Sequence, residues 1–439
     1  MTEATEILQS EVTTAAVIAA LLIFLGSYAL IISEKVHRTI VALIGAAAVI
    51  ILGIFLDFYS QHEAVSAIDF NTIGLLIGMM IIVEIMKHTG LFQYVAIKAA
   101  KKAKGQPWMI MIIFAVITAL FSALLDNVTT VLLLVPITIV ICDNLHISPK
   151  PFLLVEIFMS NIGGTSTLIG DPPNILIGSA AGLSFMDFLL NLGPVVVIMF
   201  LVMIPFFKWR YGKKIQTEKK YMENIMNLNE KESIKDPKLL KKSLVVLGLV
   251  ILGFFFHGML GLEAATIAIL GAGVMLFLEG KNLEKALNGV EWTTIFFFVG
   301  LFVLVGSLES VGVISWAAEK VLAITQGELI ATSMVILWGS AIFSAFVDNI
   351  PFVATMIPLV GDMGSTFTDL NPLWWALSLG ACLGGNGALV GASANLVVAG
   401  MSEKAGYRIT FMEFLKTGVF VMLITVAVAN IYLWLRYWM

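Results

Sequence analysis

Ser122-Ala-Leu-Leu-Asp126-Asn127-Val-Thr129-Thr130 lies in the middle of one apolar stretch, residues 107–142. Ser344-Ala-Phe-Val-Asp348-Asn349-Ile-Pro351-Phe352 lies in the middle of another, residues 328–361. What surrounds them decides how they are read. Of 439 residues, 59% are hydrophobic and 13% are Asp, Glu, Lys or Arg, about half the charged share of a soluble domain. A soluble core cannot hide that much apolar surface, so the bilayer is the solvent. At about 20 residues per spanning helix, the chain has room for roughly ten crossings. The arms beside each Asp-Asn pair, at roughly 15 residues, reach mid-membrane and return. Both stretches are therefore predicted to be re-entrant hairpins. At such a tip, backbone groups persist only where protein or ligand satisfies them, and Asp, Asn, Ser and Thr can cap the broken ends.

The two tips belong to an internal repeat. At an offset of 222 positions, Asp126-Asn127 matches Asp348-Asn349, Phe121-Ser122-Ala123 matches Phe343-Ser344-Ala345, and Pro136 matches Pro358. Gly78 and Gly90 fall on Gly300 and Gly312 in the same register. One residue of slippage later, Gly163-Gly164, Gly170 and Asn174 match Gly384-Gly385, Gly391 and Asn395. Apolar bias explains Leu matching Val, but not Asp-Asn, Gly-Gly and Pro at constant offset. With five crossings in each half, the second copy is expected upside down, the arrangement that alternating access exploits. The expected fold is an all-α polytopic membrane protein, an inverted repeat of two five-helix halves with about ten crossings and two hairpins. The halves are residues 1–208 and 242–439, joined by a polar linker, 209–241, which contains Asp236-Pro237.

A second pair of motifs interrupts two long apolar segments, 152–182 and 373–403. The first reads Ser160-Asn161-Ile-Gly163-Gly164-Thr165-Ser166-Thr167-Leu-Ile-Gly170-Asp171-Pro172-Pro173-Asn174. The second reads Gly384-Gly385-Asn386-Gly387-Ala-Leu-Val-Gly391-Ala-Ser393-Ala-Asn395. Glycines permit non-helical dihedrals and Pro172-Pro173 removes two donors, so each segment is predicted to unwind at its centre. Interrupted segments at corresponding places in two halves point to a transport site. The candidate ion-binding residues are Ser122, Asp126, Asn127, Thr129, Thr130, Asn161, Gly163, Gly164, Thr165, Ser166, Thr167, Asp171 and Asn174 in the first half. In the second half they are Ser344, Asp348, Asn349, Asn386, Ser393 and Asn395.

These motifs contain Asp126, Asp171 and Asp348 and no Lys, Arg or His. A site for a multiply charged anion would offer a basic partner. An unpaired carboxylate at membrane depth is costly and should bind a cation or take up a proton. Asp126, Asp171 and Asp348 are thus expected to bind a monovalent cation and protons competitively, and Glu156 is a further proton-coupling candidate. Sodium–proton exchange is the favoured reading, with arsenite or antimonite efflux next; half-helix N-termini can also hold an anion, so an anion or dicarboxylate carrier is the third. Glu84 is expected to pair with Lys87, and the five histidines to sit near segment ends. Cys142 and Cys382 lie in or beside apolar stretches and read as inert packing.

Placing the basic residues orients the chain. With the N-terminus outside, 24 of the 26 Lys and Arg fall inside, and only Lys320 and Arg436 fall outside. Both termini are then outside and the linker is cytoplasmic. Residues 1–12 carry Glu3, Glu6 and Glu11 and no positive charge, the wrong flank for a secretory signal. A net charge of −4 leaves no footprint for nucleic acid. No phosphate-binding loop is present, so energy must come from an ion gradient or a separate ATPase partner. No cofactor is called for beyond the coupling ion, H+ or Na+. An aspartyl protease would show Gly-x-Gly-Asp, but Leu168 stands two residues before Gly170. A compact chain of this kind points to a prokaryotic plasma membrane.

At these motifs the sequence resembles the ion transporter superfamily. The branch is that of arsenite permeases, one type of sodium/proton antiporter, and the pink-eyed-dilution P protein. The similarity is greatest to the P-protein-like permeases. It rests on Ser122 to Thr130, Gly170-Asp-Pro-Pro-Asn174, Asp348-Asn-Ile-Pro-Phe352, Gly380 to Gly387 and Gly391-Ala-Ser-Ala-Asn395. The resemblance implies two oppositely facing hairpins, a scaffold part and a moving transport part in each half, elevator movement, and a homodimer. It makes Asp126, Asn127, Asp348 and Asn349 the sodium candidates, by likeness to the Ser-Asn-Thr tips of dicarboxylate relatives. Here Asp replaces that Ser, and Pro351-Phe352 stands where a hydroxyl pair would. An ion-coupled carrier is the expectation; a channel on the same scaffold is its alternative.

Overall fold

The structure is a computed structural model that describes residues 13–33, 35–280 and 283–439. The reading of residues 1–12, and of Lys281 as an inside charge, lies outside them. Among the described residues the chain is helical, with no strand. The helices are α1 (Thr14–Ser33), α2 (Arg38–Phe55), α3 (Gln61–Ser66), α4 (Phe70–His88), α5 (Leu91–Lys102), α6 (Pro107–Leu124) and α7 (Asn127–Asn144). Next come α8 (Lys150–Gly164), α9 (Pro172–Ala181), α10 (Phe185–Tyr211), α11 (Lys219–Met226), α12 (Pro237–Leu260), α13 (Ala264–Glu279) and α14 (Leu283–Asn288). The remainder are α15 (Trp292–Ser310), α16 (Val313–Ile324), α17 (Leu329–Phe346), α18 (Asn349–Asp362), α19 (Asn371–Gly384), α20 (Ser393–Lys404) and α21 (Phe411–Tyr437). Local chemistry sets their ends. Pro107, Pro172 and Pro237 open helices at the position where a missing N–H costs nothing. Ser60 with Glu63, and Ser184 with Asp187, form reciprocal capping boxes.

Among the described residues, ten helices are long and apolar enough to cross a membrane. They are not the ten segments the sequence suggested. Both arms of the first hairpin, α6 and α7, qualify at 18 residues each, as does α17, also 18 residues. The arms are therefore longer than the expected fifteen or so. The interrupted segments drop out because each is divided into two short helices. Their breaks fall where the glycines and prolines placed them, between Gly164 and Pro172 and between Gly384 and Ser393.

The chain forms two compact units, and neither is a sequence half. Unit 1 draws on Met1–Ile73, Glu291–Glu328 and Ala354–Leu370; unit 2 takes the rest. Within unit 1, α2 and α15 pack at glycine. A Cβ on Gly300 would stand 2.6 Å from the Ala42 backbone, and one on Gly45 3.2 Å from Leu304. Thr39 donates to the Thr293 carbonyl at 2.7 Å. Within unit 2, α4 and α13 repeat the arrangement: Gly78 meets the Ala268 backbone at 2.6 Å, and Gly271 meets Ile82 at 3.2 Å.

The linker is folded on unit 2. Its α11 and the turn Glu230–Ser233 pack on α5. Lys101 donates to Glu230 at 2.7 Å and to the Leu228 carbonyl at 3.0 Å. The Lys235 N–H donates to the Thr89 carbonyl at 3.0 Å. Tyr221 stacks on His146 at 4.0 Å. Gly90, at φ +84°, leaves space that the Ser233 carbonyl occupies, 1.8 Å from where a Cβ would be. Its repeat counterpart Gly312 keeps the same left-handed conformation, φ +74°, with nothing against it.

Candidate functional site

The candidate residues all lie in unit 2, at four helix breaks that hydrogen bonds tie together. At the first tip, Leu125 ends α6 and Asp126 caps α7, its Oδ1 accepting from the Thr129 N–H at 2.7 Å. At the second tip, Asp348 accepts from the Ile350 N–H at 3.1 Å and from Ser393 Oγ at 2.7 Å. Each tip is fastened to a broken helix by a serine. Ser122 donates to the Ser160 carbonyl and Ser344 to the Ala381 carbonyl, both at 2.6 Å. Such close approach needs glycine. A Cβ on Gly163 would lie 2.4 Å from Ala119, and one on Gly384 2.5 Å from the Ala341 carbonyl.

Buried asparagines satisfy the unwound backbone. Asn174 Nδ2 donates to the carbonyls of Thr165 and Thr167 at 3.1 and 2.9 Å, with Gly164 at 3.4 Å. Asn395 Nδ2 donates to those of Gly385 and Ala388 at 2.7 and 3.1 Å. An amide relay crosses the site. Asn127 Nδ2 donates to Asn161 Oδ1 at 3.1 Å. Asn161 Nδ2 donates in turn to the Oδ1 atoms of Asn386 and Asn395, at 3.0 and 3.1 Å. Among the described residues, three buried groups in the site have no hydrogen-bond partner: Asn127 Oδ1, Thr130 Oγ1 and Asn386 Nδ2. Orphaned polar atoms at this depth are costly unless something else binds there.

The three aspartates differ. Asp126 and Asp348 are partly exposed and cap helices. Asp171 is 1% exposed, makes no capping bond to α9, and faces Asn349 Nδ2 at 3.4 and 3.5 Å. Among the described residues no ion pair includes Asp171.

Several of the candidate ligands also hold the local backbone. Thr165 and Ser166 donate to the carbonyls of Asn161 and Gly163, closing the end of α8. Thr167 bonds the Ala123 carbonyl at the first tip. Thr129 contributes its backbone N–H to Asp126. Glu84 pairs with Lys87 at 3.0 Å and lies 3.5 Å from His88.

Two site residues escaped the sequence reading. Ser378 donates to Asn174 Oδ1 at 2.6 Å, and Cys382 Sγ lies 3.5 Å from the same oxygen. The repeat held the signal for Cys382, which stands in register with Asn161. His257, expected at an interface, is buried and joins the Phe185 N–H to the Leu262 carbonyl.

A helical chain with ten membrane-length apolar helices and polar breaks meeting inside it has the build of a polytopic transporter. The YdaH transporter of Alcanivorax borkumensis has a similar fold, with TM-score 0.62 at 12% identity over 95% of this chain and 98% of that one. Residues 28–380 match the citrate transporter family, to which the chain belongs. It is 46% identical to an uncharacterized transporter of Mycobacterium tuberculosis, over 96% of this chain and 98% of that protein. It is 36% identical to the human P protein, over 97% of this chain and 60% of that longer protein. The resemblance to P-protein-like permeases is borne out, and the chain is an integral membrane transporter with bacterial relatives, not an enzyme.

Proposed function

We propose that this transporter exchanges sodium and protons at the meeting of the four breaks, as a secondary antiporter. The observation that carries the reading is Asp171, a buried carboxylate beside the Asn349 amide and the Cys382 thiol, with no ion-pair partner among the described residues. Such a group is at home with a cation or a proton and opposes an uncoordinated anion. Asp126-Asn127 and Asp348-Asn349 would complete the cation's surroundings, with the orphaned Asn127 oxygen as one ligand.

The reading includes an inverted repeat and elevator-like alternating access. Corresponding contacts at Ser122 and Ser344, Asn174 and Asn395, and Gly163 and Gly384 support it. It also places the 209–241 linker on the inner face of a bacterial plasma membrane, in a homodimer. In support, the linker packs on the Lys-rich 87–105 segment, and Lys150 of α8 pairs with Glu413 of α21 at 3.2 Å.

An organic-anion carrier is the second reading. The family's description as citrate transporters favours it, as do four helix N-termini, those of α7, α9, α18 and α20, at the site. Arsenite, which is mostly neutral at pH 7 and needs no basic residue, is the third substrate to compare. Proteoliposomes loaded in parallel with sodium, arsenite, chloride and citrate under an imposed pH gradient discriminate them. Sodium flux that moves protons oppositely, and that Asp171→Asn removes, is the expected result. Citrate flux without sodium exchange would overturn the sodium reading.

A further inference from the structure

Glu156 is a buried carboxyl on α8 that the ion site leaves unused. It lies on α8, five residues before Asn161, about 7.5 Å along the axis at 1.5 Å per residue. It is 1% exposed. Thr138 of α7 donates to its Oε1 at 2.5 Å, and Oε2 has no partner. As a carboxylate, Oε2 needs a donor; as a carboxylic acid, it needs an acceptor; in this conformation it has neither. A threonine within a helix commonly returns its hydroxyl to its own helix's carbonyl, so bonding across to α8 dedicates Thr138 to the glutamate.

The charged and titratable surroundings are sparse. Of the helices packed on α8, α6 carries no titratable side chain. From α7 come Cys142, which interacts electrostatically with Glu156, and Asp143, which binds Tyr407. Cys382 of α19 lies at Asn174 and Asp171, and Tyr211 of α10 bonds Thr417 of α21. Besides these, α10 carries Asp187, which caps its start with Ser184, and Lys208 and Arg210 in its last turn, and α21 carries Lys416 and, in its last turn, Arg436. Glu413 of α21 is paired with Lys150, and Glu403 of α20 with Arg408, while Lys404 lies at the end of α20. No cation among the described residues forms an ion pair with Glu156.

The repeat supplies an internal control. In register, Glu156 falls on Leu377 and Thr138 on Val360, and each of those is 0% exposed in its own surroundings. The helix-internal proline recurs two residues before each position, Pro136 before Thr138 and Pro358 before Val360. The acid and its hydroxyl partner are thus particular to the first half. A buried acid found in one half alone, with one oxygen unpartnered among the described residues, marks a functional group.

We infer that Glu156, held by Thr138, is a proton-binding site separate from the cation site, and that it carries the proton exchanged against the ion. The inference rests on the antiport reading. One proton binds the carboxylate when α8 is open to one side and leaves from the same oxygen pair when it opens to the other. Thr138 is a positioning residue.

The test uses the full-length protein in proteoliposomes, with radioactive sodium as probe and a trapped pH dye. For Glu156→Gln the expected result is sodium–sodium exchange as in the wild type, with loss of sodium uptake driven by a pH gradient. Thr138→Val should shift the pH profile without abolishing uptake. Glu156→Leu, which copies the second half, guards against misfolding and should behave as Glu156→Gln. Retained proton-driven uptake in Glu156→Gln overturns the inference. So does equal loss of exchange and driven uptake, which would make Glu156 part of the cation site or of the packing.

Infrared difference spectra between acid and alkaline pH give a readout that needs no substrate. A carboxylic-acid band present in the wild type, absent in Glu156→Gln and shifted in Thr138→Val is expected; an unchanged band in Glu156→Gln refutes the inference. If the wild type moves no sodium, the antiport reading fails while the infrared result still judges Glu156.

Discussion

The two unwound helices share a skeleton and differ in chemistry. In the first, Asn174 holds the carbonyls of Thr165 and Thr167; in the second, Asn395 holds those of Gly385 and Ala388. Ser122 and Ser344 clamp both to their hairpins with bonds of equal length, 2.6 Å. Over that common frame the first half places Asp171 where the second has Ala392, Asn161 where it has Cys382, and Thr129-Thr130 where it has Pro351-Phe352. Backbone satisfaction is an obligation of any break at membrane depth, so both halves meet it in the same way. Ion chemistry needs to be built only once. The comparison separates a skeleton that both halves share from side chains particular to one, and the proposed selectivity rests on the latter.

The sharpest way to break this comparison is at its asymmetric points. Asp171→Asn should abolish proton-driven transport in proteoliposomes while leaving the protein folded; normal transport in this variant would remove the basis for a one-sided site. Asn161→Cys, which makes the first half resemble the second, should cut the amide relay among Asn127, Asn386 and Asn395 and strongly reduce flux. Cys382→Ser should change flux far less, since a hydroxyl can still donate to Asp171 where the thiol does and the relay does not run through it.

The symmetric points call for equal effects. Gly163→Ala and Gly384→Ala should each destabilise the protein by about 1–3 kcal/mol, because a methyl group meets backbone there. Thermal unfolding in detergent would show the two shifts as similar, and a large inequality would mean that the skeletons are not equivalent. Ser122→Ala and Ser344→Ala should each cost about 1 kcal/mol, the usual worth of one buried hydrogen bond.

The smallest effect belongs to the linker, which has no counterpart in the second half. Lys101 beside Glu230 holds that carboxyl below its ordinary value. The stabilisation is fully present above the ordinary glutamate range and is lost as pH falls through the lowered value. Protease protection of residues 212–236 should therefore stay constant from neutral to mildly acidic pH and fall only in strong acid. Because the pair is exposed to solvent, salt should weaken it as well, and Lys101→Ala should loosen the linker slightly.

Much of this was legible in the chain. Both hairpin tips, both helix breaks and the contact-bearing glycines were placed by residue types whose backbone behaviour is local: glycine permits close approach, proline removes a donor, and Asp caps a helix start. The length of the hairpin arms was misjudged, because apolar runs carry no mark of where α6 and α7 end. The linker read as a tether, since its packing depends on Gly90, Thr89 and Lys101, residues more than 100 positions from their partners in it.

The sequence by itself determined that the chain is a membrane protein, where its helices break, and which residue types meet at the breaks. Those properties follow from solvent partitioning and backbone chemistry, which act residue by residue. Only the tertiary structure decided that the sequence halves interleave into two compact units, and that Asp126 and Asp348 serve as caps while Asp171 stands apart. It also decided that Ser378 and Cys382 reach Asn174, and that Thr138 bonds Glu156. Those are facts of proximity between distant segments, and a carboxylate's role depends on which donors and charges the fold brings to it.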